Sequence, residues 1–167
     1  IIDLAKLGAG RMVLDLQPLA LTDYLREYLP PYLARWQKPA IQFNWLPSEF
    51  ASVVTADRAR LQQVLTELLD NAYTYTDQGR ISLQLSADAD AVWINISDTG
   101  IGIDKRHLLR VFQRFQQVDA GTTRRHGAGL GLALAKDLVT AMGGQLWMES
   151  YLGQGTTVHV SFPRYHG

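Results

Sequence analysis

Four segments of the chain alternate apolar and polar residues, and this feature limits the fold most strongly. The segments are residues 81–86, 92–97, 146–150 and 156–162. Successive side chains of a β-strand point to opposite faces, so each segment predicts a strand with one apolar face. A sheet of this kind needs a cover, and apolar helical faces are predicted for residues 56–76 and 130–142. The expected fold class is therefore α+β, a two-layer sandwich with helices covering one face of a sheet.

The helical pattern is strongest in residues 56–76, where apolar residues recur at intervals of three and four. These residues are Leu61, Val64, Leu65, Leu68, Leu69 and Ala72. At about 100° per residue, Glu67, Asn71 and Thr74 share one shoulder of that apolar face, where they could be partly buried and still reach a cavity. An isolated asparagine in a helix is usually solvated, so the pattern by itself leaves that alternative open.

The first half of the chain carries shorter patterns. Residues 1–7 form a short amphipathic helical stripe, residues 12–16 predict an edge strand, and residues 41–45 predict another strand. A helix is expected after Pro18. Pro30 and Pro31 should end or kink that helix, because proline lacks an N–H group and crowds the preceding turn, although a second short helix could begin there. Residues 88–90 predict a turn between two of the strands.

Two glycine clusters, residues 98–103 and 127–132, bracket a stretch rich in charged and amide side chains. Glycine lets the backbone approach a ligand closely, and the second cluster runs into a predicted helix whose free N–H groups attract anions. Asp98 ends a predicted strand. An ionised carboxylate accepts hydrogen bonds and donates none, which suits an adenine amino group and not a phosphate. The clusters therefore predict a nucleotide with its base near Asp98 and its phosphates near residues 127–131.

Other nucleotide-site patterns are missing from the sequence. No Gly-Lys-Ser/Thr follows the second cluster, no strand immediately precedes it, and the motif set of eukaryote-type protein kinases is absent. Lys+Arg and Asp+Glu are both 16, so no net charge favours nucleic acid or an acidic membrane surface. Cys 0 excludes a disulfide framework and is compatible with a reducing cytoplasm. We therefore expect no nucleic-acid partner and no direct membrane contact by this domain.

Five motifs, in order and spacing, resemble the boxes of sensor histidine kinase catalytic and ATP-binding domains, in the superfamily of gyrase, heat-shock chaperone and MutL ATPases. They are Asn71 with its helix, then residues 98–103, 112–115, 127–132 and 153–156. The resemblance implies the Bergerat-type ATP-binding fold, with a mixed and mostly antiparallel sheet, for residues 11–167. Residues 1–10 resemble the end of a dimerisation helix. We therefore expect the chain to be a fragment of a longer protein.

The resemblance implies ATP and Mg²⁺ as ligands, and it assigns Asn71 as the Mg²⁺ ligand and a catalytic residue. Glu67, also assigned to catalysis, is either a general base toward a histidine acceptor or a residue that orients Asn71 or Mg²⁺-bound water. Tyr75 resembles the residue that packs on adenine or the sugar, with core packing as the alternative. The other nucleotide-binding candidates lie in the glycine boxes. They are Asp98, Gly100, Gly102, Ile103, Gly127, Gly129, Leu130, Gly131, Leu132 and Thr156.

Thr74 departs from the family pattern, which commonly has Lys, Arg or His there to reach a phosphate. Lys105, Arg124 and Arg125 are candidates to supply that charge by folding a flexible lid over the phosphates. Plain solvent exposure is the alternative for the two arginines. The four histidines lie outside the setting of the family's phosphoacceptor, so the acceptor is expected outside this chain; they are His107, His126, His159 and His166.

The expected function is that of a protein histidine kinase catalytic domain from a two-component system. It would bind Mg-ATP and donate the γ-phosphate to a histidine on its own dimerisation domain, for relay to the aspartate of a cognate response regulator. The parent is expected to be a homodimer with this domain in the cytoplasm, whether or not it is membrane-anchored. Two alternatives remain open: an ATPase in which Glu67 activates water, and a degenerate nucleotide-binding interaction module, which Thr74 favours. A serine-phosphorylating relative of the same superfamily is a weaker third alternative.

Overall fold

The structure, a computed structural model, describes residues 13–108 and 131–166. The strands are β1 (Gln17–Ala20), β2 (Ile41–Leu46), β3 (Val53–Ala56), β4 (Gly79–Ala87), β5 (Ala91–Asp98), β6 (Gln145–Tyr151) and β7 (Gly155–Pro163). The helices are α1 (Leu21–Ala34), α2 (Arg58–Thr74), α3 (Lys105–Leu108) and α4 (Gly131–Ala141). The predicted stub at residues 1–10, the box at residues 112–115, and Arg124, Arg125, Gly127, Gly129 and Leu130 lie outside the described residues.

The main sheet has five strands in the order β2-β4-β5-β7-β6. β2 pairs with β4 in parallel, and the other pairs are antiparallel. A separate two-stranded antiparallel sheet joins β1 to β3. The α+β class, with a mixed and mostly antiparallel sheet, is therefore confirmed.

One hydrophobic core lies between the main sheet and the helices. Ile81 and Leu83 of β4 and Ile94 of β5 face this core, and each is fully buried. From the helices, Leu65 of α2 and Leu138 of α4 belong to the same buried cluster. Burying a side chain of this size contributes about 1.5–3 kcal/mol, so the alternating pattern of the strands directly stabilises the two-layer arrangement.

The opposite face of the main sheet is polar, as the alternation predicts. The His159 ring lies 2.7 Å from Asn95 Oδ1 on one side and 2.7 Å from Glu149 Oε2 on the other. Trp147 stacks on the same ring with 5.1 Å between centroids. His159 is thus part of a network on the sheet face turned away from the core.

The first strand was predicted at the wrong position. A strand was predicted for residues 12–16, but residues 13–16 are not in a strand. β1 instead begins at Gln17 and contains Pro18. Proline is tolerated there because, among the described strands, β1 pairs with β3 alone, and its other edge carries no ladder bonds to them. β3 itself was not predicted, since four residues are too short to show a clear alternation.

The expectation that the helix ends at Pro30 and Pro31 was also wrong, because α1 continues through both to Ala34. Both prolines lie on the exposed side of α1, where carbonyls that lose an N–H partner can bond water. Leu29 and Tyr32, on the buried side, hold the same turns against the core.

Candidate functional site

The N-terminus of α2 is fixed by a buried aspartate. Asp57 Oδ1 accepts hydrogen bonds from the amides of Ala59 (3.0 Å) and Arg60 (3.1 Å). Its other oxygen accepts from the amide of Asp15 at 2.9 Å. This N-cap anchors the helix that carries Glu67 and Asn71, one turn apart, so the position of both side chains depends on it.

Glu67 lies at the start of α4. A Cβ placed on Gly131, the first described residue of that helix, would overlap the Glu67 carboxylate oxygen. Glycine at position 131 therefore allows the two helices to approach closely here. The second glycine cluster, of which Gly131 and Leu132 are described, therefore lies beside α2. This helix also carries Asn71, the predicted Mg²⁺ ligand.

Asp98, the last residue of β5, is held at the opposite end of the site. Its Oδ1 accepts hydrogen bonds from the amides of Gly100 (2.9 Å) and Thr156 (3.2 Å). Burial raises the pKa of the Asp98 carboxyl above its ordinary value, and the two amide bonds oppose that shift only in part. The carboxylate is therefore oriented by backbone groups and partly removed from water.

The first glycine cluster rests on the C-terminal turn of α2. The amide of Ile101 donates to the carbonyl of Tyr75 at 3.1 Å, and a Cβ on Gly100 would overlap the same carbonyl. The amide of Tyr75 in turn donates to the carbonyl of Asn71 at 3.1 Å. Hydrogen bonds therefore connect the end of α2, with Asn71 and Tyr75, to the loop of Asp98 and Gly100, although these two segments are far apart in sequence.

The hairpin between β6 and β7 holds the other side of the cluster. Gly102 has φ +72, and a Cβ there would overlap the backbone oxygen of Tyr151. The amide of Gly153 donates to the carbonyl of Ile101 at 2.6 Å. The cluster thus lies between α2 and this hairpin, which explains why the chain has glycine at Gly100 and Gly102.

Ser150 is a site residue that the sequence reasoning missed. This buried hydroxyl accepts from the amide of Ile103 at 2.7 Å and lies 2.7 Å from the Thr156 hydroxyl and 3.1 Å from the Gly155 carbonyl. Ser150 therefore connects the loop of Ile103 to the hairpin that carries Gly155 and Thr156. The amide of Thr156 in turn donates to Asp98. A signal was present: in the alternation of β6, Ser150 occupies the core-facing register of Leu146.

Three more residues that the sequence analysis discussed for the nucleotide site are described in the structure. They are Thr74, Tyr75 and Lys105. Thr74 is buried, Tyr75 is half-buried at the C-terminus of α2, and Lys105 is exposed at the start of α3. Next to Lys105, the guanidinium and amide of Arg106 bond Asp104 and lower the pKa of that carboxyl to about 2. The structure brings Tyr75 to the first glycine cluster, and it leaves Lys105 on the surface.

A metal site made by side chains only is not present in the described ranges, since no group of three His, Cys, Asp or Glu residues there could hold an ion. No helix in the same part of the chain is long and apolar enough to cross a membrane.

Residues 56–166 match the family model described as histidine kinase-, DNA gyrase B-, and HSP90-like ATPase. The chain belongs to this family. It is 36% identical over 167 residues to the circadian input-output histidine kinase CikA of Synechococcus elongatus, covering 98% of this chain and 22% of the relative. It is 35% identical over 164 residues to the signal transduction histidine-protein kinase BarA of Escherichia coli, covering 94% of this chain and 18% of the relative. The chain thus spans about a fifth of the length of these relatives.

Solved structures confirm the fold. Full-length ShkA in complex with AMPPNP superposes with a TM-score of 0.78 at 31% identity, covering 98% of this chain and 34% of that one. The catalytic domain of histidine kinase ThkA superposes with a TM-score of 0.77 at 23% identity, covering 90% of this chain and 99% of that one. The chain therefore has the fold of a histidine kinase ATP-binding catalytic domain, as predicted.

Proposed function

We propose that this domain binds Mg-ATP and donates the γ-phosphate to a histidine on a dimerisation domain, for relay to a response regulator. The observation that carries the proposal is the Asp98 carboxylate, oriented by the amides of Gly100 and Thr156 beside the end of the Asn71 helix. The family to which the chain belongs is named for its ATPases, and ShkA was solved with an ATP analogue.

Asp98 has the chemistry to recognise an adenine amino group. Both amide bonds use Oδ1, and an ionised carboxylate accepts at several lone-pair positions, so the group can accept further bonds. The two amide donors favour its ionised form. Because the side chain is partly desolvated, a hydrogen bond from the base to this carboxylate is worth about 1.5–3 kcal/mol. Tyr75, half-buried at the adjoining turn, would contribute packing against the base or sugar.

The phosphate end fits the region where α2 meets α4. Backbone amides at the start of α4 would attract the phosphates, and Asn71 would offer its amide oxygen to Mg²⁺. Mg²⁺ is commonly bound by one or two protein oxygens together with phosphate oxygens and water. Bound Mg²⁺ would neutralise charge on the phosphates, while Asn71 orients it.

Glu67 supports both phosphoryl transfer and the ATPase alternative. Its carboxylate lies at Gly131, the start of the helix that would receive the phosphates. From there it can take a proton from a histidine acceptor, orient Asn71 or metal-bound water, or activate a water molecule. CikA and BarA are named as histidine kinases, which favours transfer to histidine. We also propose a homodimer that acts in the cytoplasm, with an acceptor histidine on its dimerisation domain and a cognate response regulator.

Two measurements test the proposal. In a calorimetric titration with a nonhydrolysable ATP analogue, Mg²⁺ should strengthen saturable binding by the wild type and not by Asn71→Ala. A folded wild-type chain that binds no nucleotide would overturn the proposal. With labelled ATP and a supplied dimerisation domain, label should pass to the histidine of that domain. Phosphate release that needs no acceptor and is lost in Glu67→Ala would instead establish the ATPase.

A further inference from the structure

A lysine outside every motif contacts the end of α2. Lys38 follows α1 in sequence, and its Nζ donates to the carbonyl of Tyr73 at 2.6 Å and approaches the carbonyl of Thr76 at 3.4 Å. We propose that Lys38 is a positioning residue for the nucleotide site: its ammonium group fixes the last turn of α2 and, through that turn, the first glycine cluster. This inference deepens the proposed function and rests on it for the link to nucleotide binding.

A cation at this position stabilises the C-terminus of α2. The last carbonyls of an α-helix have no N–H partner within the helix, and its C-terminus carries partial negative charge. The last turn of α2 contains no basic residue of its own. Lys38 therefore supplies, from a loop between α1 and β2, both the donors and the positive charge that a basic residue near the end of a helix normally gives.

Aromatic side chains hold Lys38 in place. Its Nζ lies 5.6 Å from the Trp36 ring centroid, within the range of a cation–π interaction. Trp36 stacks on Tyr73 with 4.7 Å between centroids and an interplanar angle of 11°. The lysine and its aromatic neighbour thus contact the same residue of α2, one through its carbonyl and the other through its ring.

A second connection runs from Trp36 to the residue beside Asn71. The indole N–H donates to the Tyr32 hydroxyl at 2.9 Å, and that hydroxyl donates to Asp70 Oδ1 at 2.7 Å. Burial raises the pKa of Tyr32, so its hydroxyl keeps the proton that it donates. The last turn of α1, through Tyr32, and the segment after it, through Trp36 and Lys38, therefore contact α2 on both sides of Asn71, at Asp70 and at Tyr73.

The held turn is the one on which the first glycine cluster rests. Tyr75 lies between the two residues whose carbonyls face Lys38, and its own carbonyl accepts from Ile101 and contacts Gly100. If the turn loosens, Gly100 and Ile101 lose their support. The amide of Gly100 is one of the two that orient Asp98, so the effect of Lys38 should reach the base-binding end of the site.

The test compares three variants and two controls. Lys38→Met removes the charge and keeps an unbranched apolar stem, whereas Lys38→Arg keeps a cation that can donate to both carbonyls. Arg26→Met removes an exposed cation from α1, and Leu25→Val weakens the core of the same helix. Lys38→Met combined with Leu25→Val shows whether the two losses add. Affinity for a nonhydrolysable ATP analogue and hydrogen exchange of the Ile101 amide without nucleotide are measured for each.

Lys38→Met should weaken nucleotide binding about tenfold and speed exchange of the Ile101 amide by at least as much. This magnitude corresponds to the free energy of about one hydrogen bond, lost at the end of α2 and felt at the nucleotide site. Lys38→Arg should keep most of the wild-type nucleotide affinity and most of the protection of the Ile101 amide from exchange. Arg26→Met should change neither, and Leu25→Val should lower the melting temperature without selectively exposing Ile101. In the combined variant the two effects should add.

The inference is overturned if Lys38→Met affects affinity and Ile101 exchange no more than Leu25→Val does at a matched loss of melting temperature. It is also overturned if Lys38→Arg behaves like Lys38→Met. A wild-type chain that binds no nucleotide would refute the proposed function instead. The exchange of Ile101, measured without nucleotide, would still decide whether Lys38 supports the glycine cluster.

Discussion

Gly102→Ala is expected to destabilise the domain strongly, because two costs combine at this position. A left-handed backbone costs a non-glycine residue about 1–2 kcal/mol, and Gly102 has φ +72. The new Cβ would also overlap the backbone oxygen of Tyr151, which no side-chain rotation can relieve. A forced backbone shift of this kind costs about 1–3 kcal/mol.

Alanine also restricts the unfolded chain, which offsets about 0.4–1 kcal/mol of that cost. The net loss should be about 3 kcal/mol, or roughly 6–12 °C in melting temperature for a domain of this size. Urea denaturation followed by circular dichroism, with m-values compared, measures it directly. The same variant should weaken nucleotide binding, since Gly102 lies between Ile101 and Ile103.

Gly153→Ala provides the matched control. Gly153 has φ +82, but a Cβ placed there meets no atom within 4 Å. Only the backbone cost applies, so the net loss should be about 1 kcal/mol. Equal losses for Gly102→Ala and Gly153→Ala would refute the close contact between the glycine cluster and the hairpin, and with it the account of how the cluster is held.

Three further outcomes follow from particular contacts. Asp57→Ala should cost about 1–2 kcal/mol in urea denaturation, since it removes an N-cap; a loss below about 0.5 kcal/mol would contradict the cap. Because burial raises the folded pKa of Asp98, its contribution to stability is present below the unfolded pKa and is lost as the pH rises through the folded one. The stability of Asp98→Asn relative to wild type should therefore rise as the pH increases from below the unfolded pKa of about 4, and a relative fall would contradict the sign. Thr76→Val should leave stability unchanged or raise it by up to about 1 kcal/mol, because the buried Thr76 hydroxyl has no hydrogen-bond partner among residues 13–108 and 131–166; a clear loss would show that it is bonded.

The alternating strands could be predicted because the side chains that face the core have to be apolar, and every second residue of a strand faces it. Ile81, Leu83 and Leu85 have to face the core, and their register fixes β4 without knowledge of its neighbours. The strand order could not be predicted, since the same alternation suits any neighbour. β1 was misplaced because Pro18 argues against a strand unless one edge is known to be unpaired.

The site was only partly predictable for the same reason. Asp98, Gly100 and Gly102 carry local signals, namely a strand end followed by glycines that admit close approach. Ser150 has a weaker signal as a polar residue in a core-facing register. Lys38 has none, because its partners are backbone carbonyls, which are the same in every sequence. Residues that act through backbone contacts become visible only once the fold brings them together.

The central claim is that Asp98 receives the adenine amino group. Its most direct test is the calorimetric affinity of the wild type and of Asp98→Asn for two nonhydrolysable nucleotides, an ATP analogue and its counterpart lacking the 6-amino group. The wild type should prefer the first by about tenfold or more, and the preference should disappear in Asp98→Asn. A wild type that binds both nucleotides equally, or a variant that keeps the full preference, would contradict the claim.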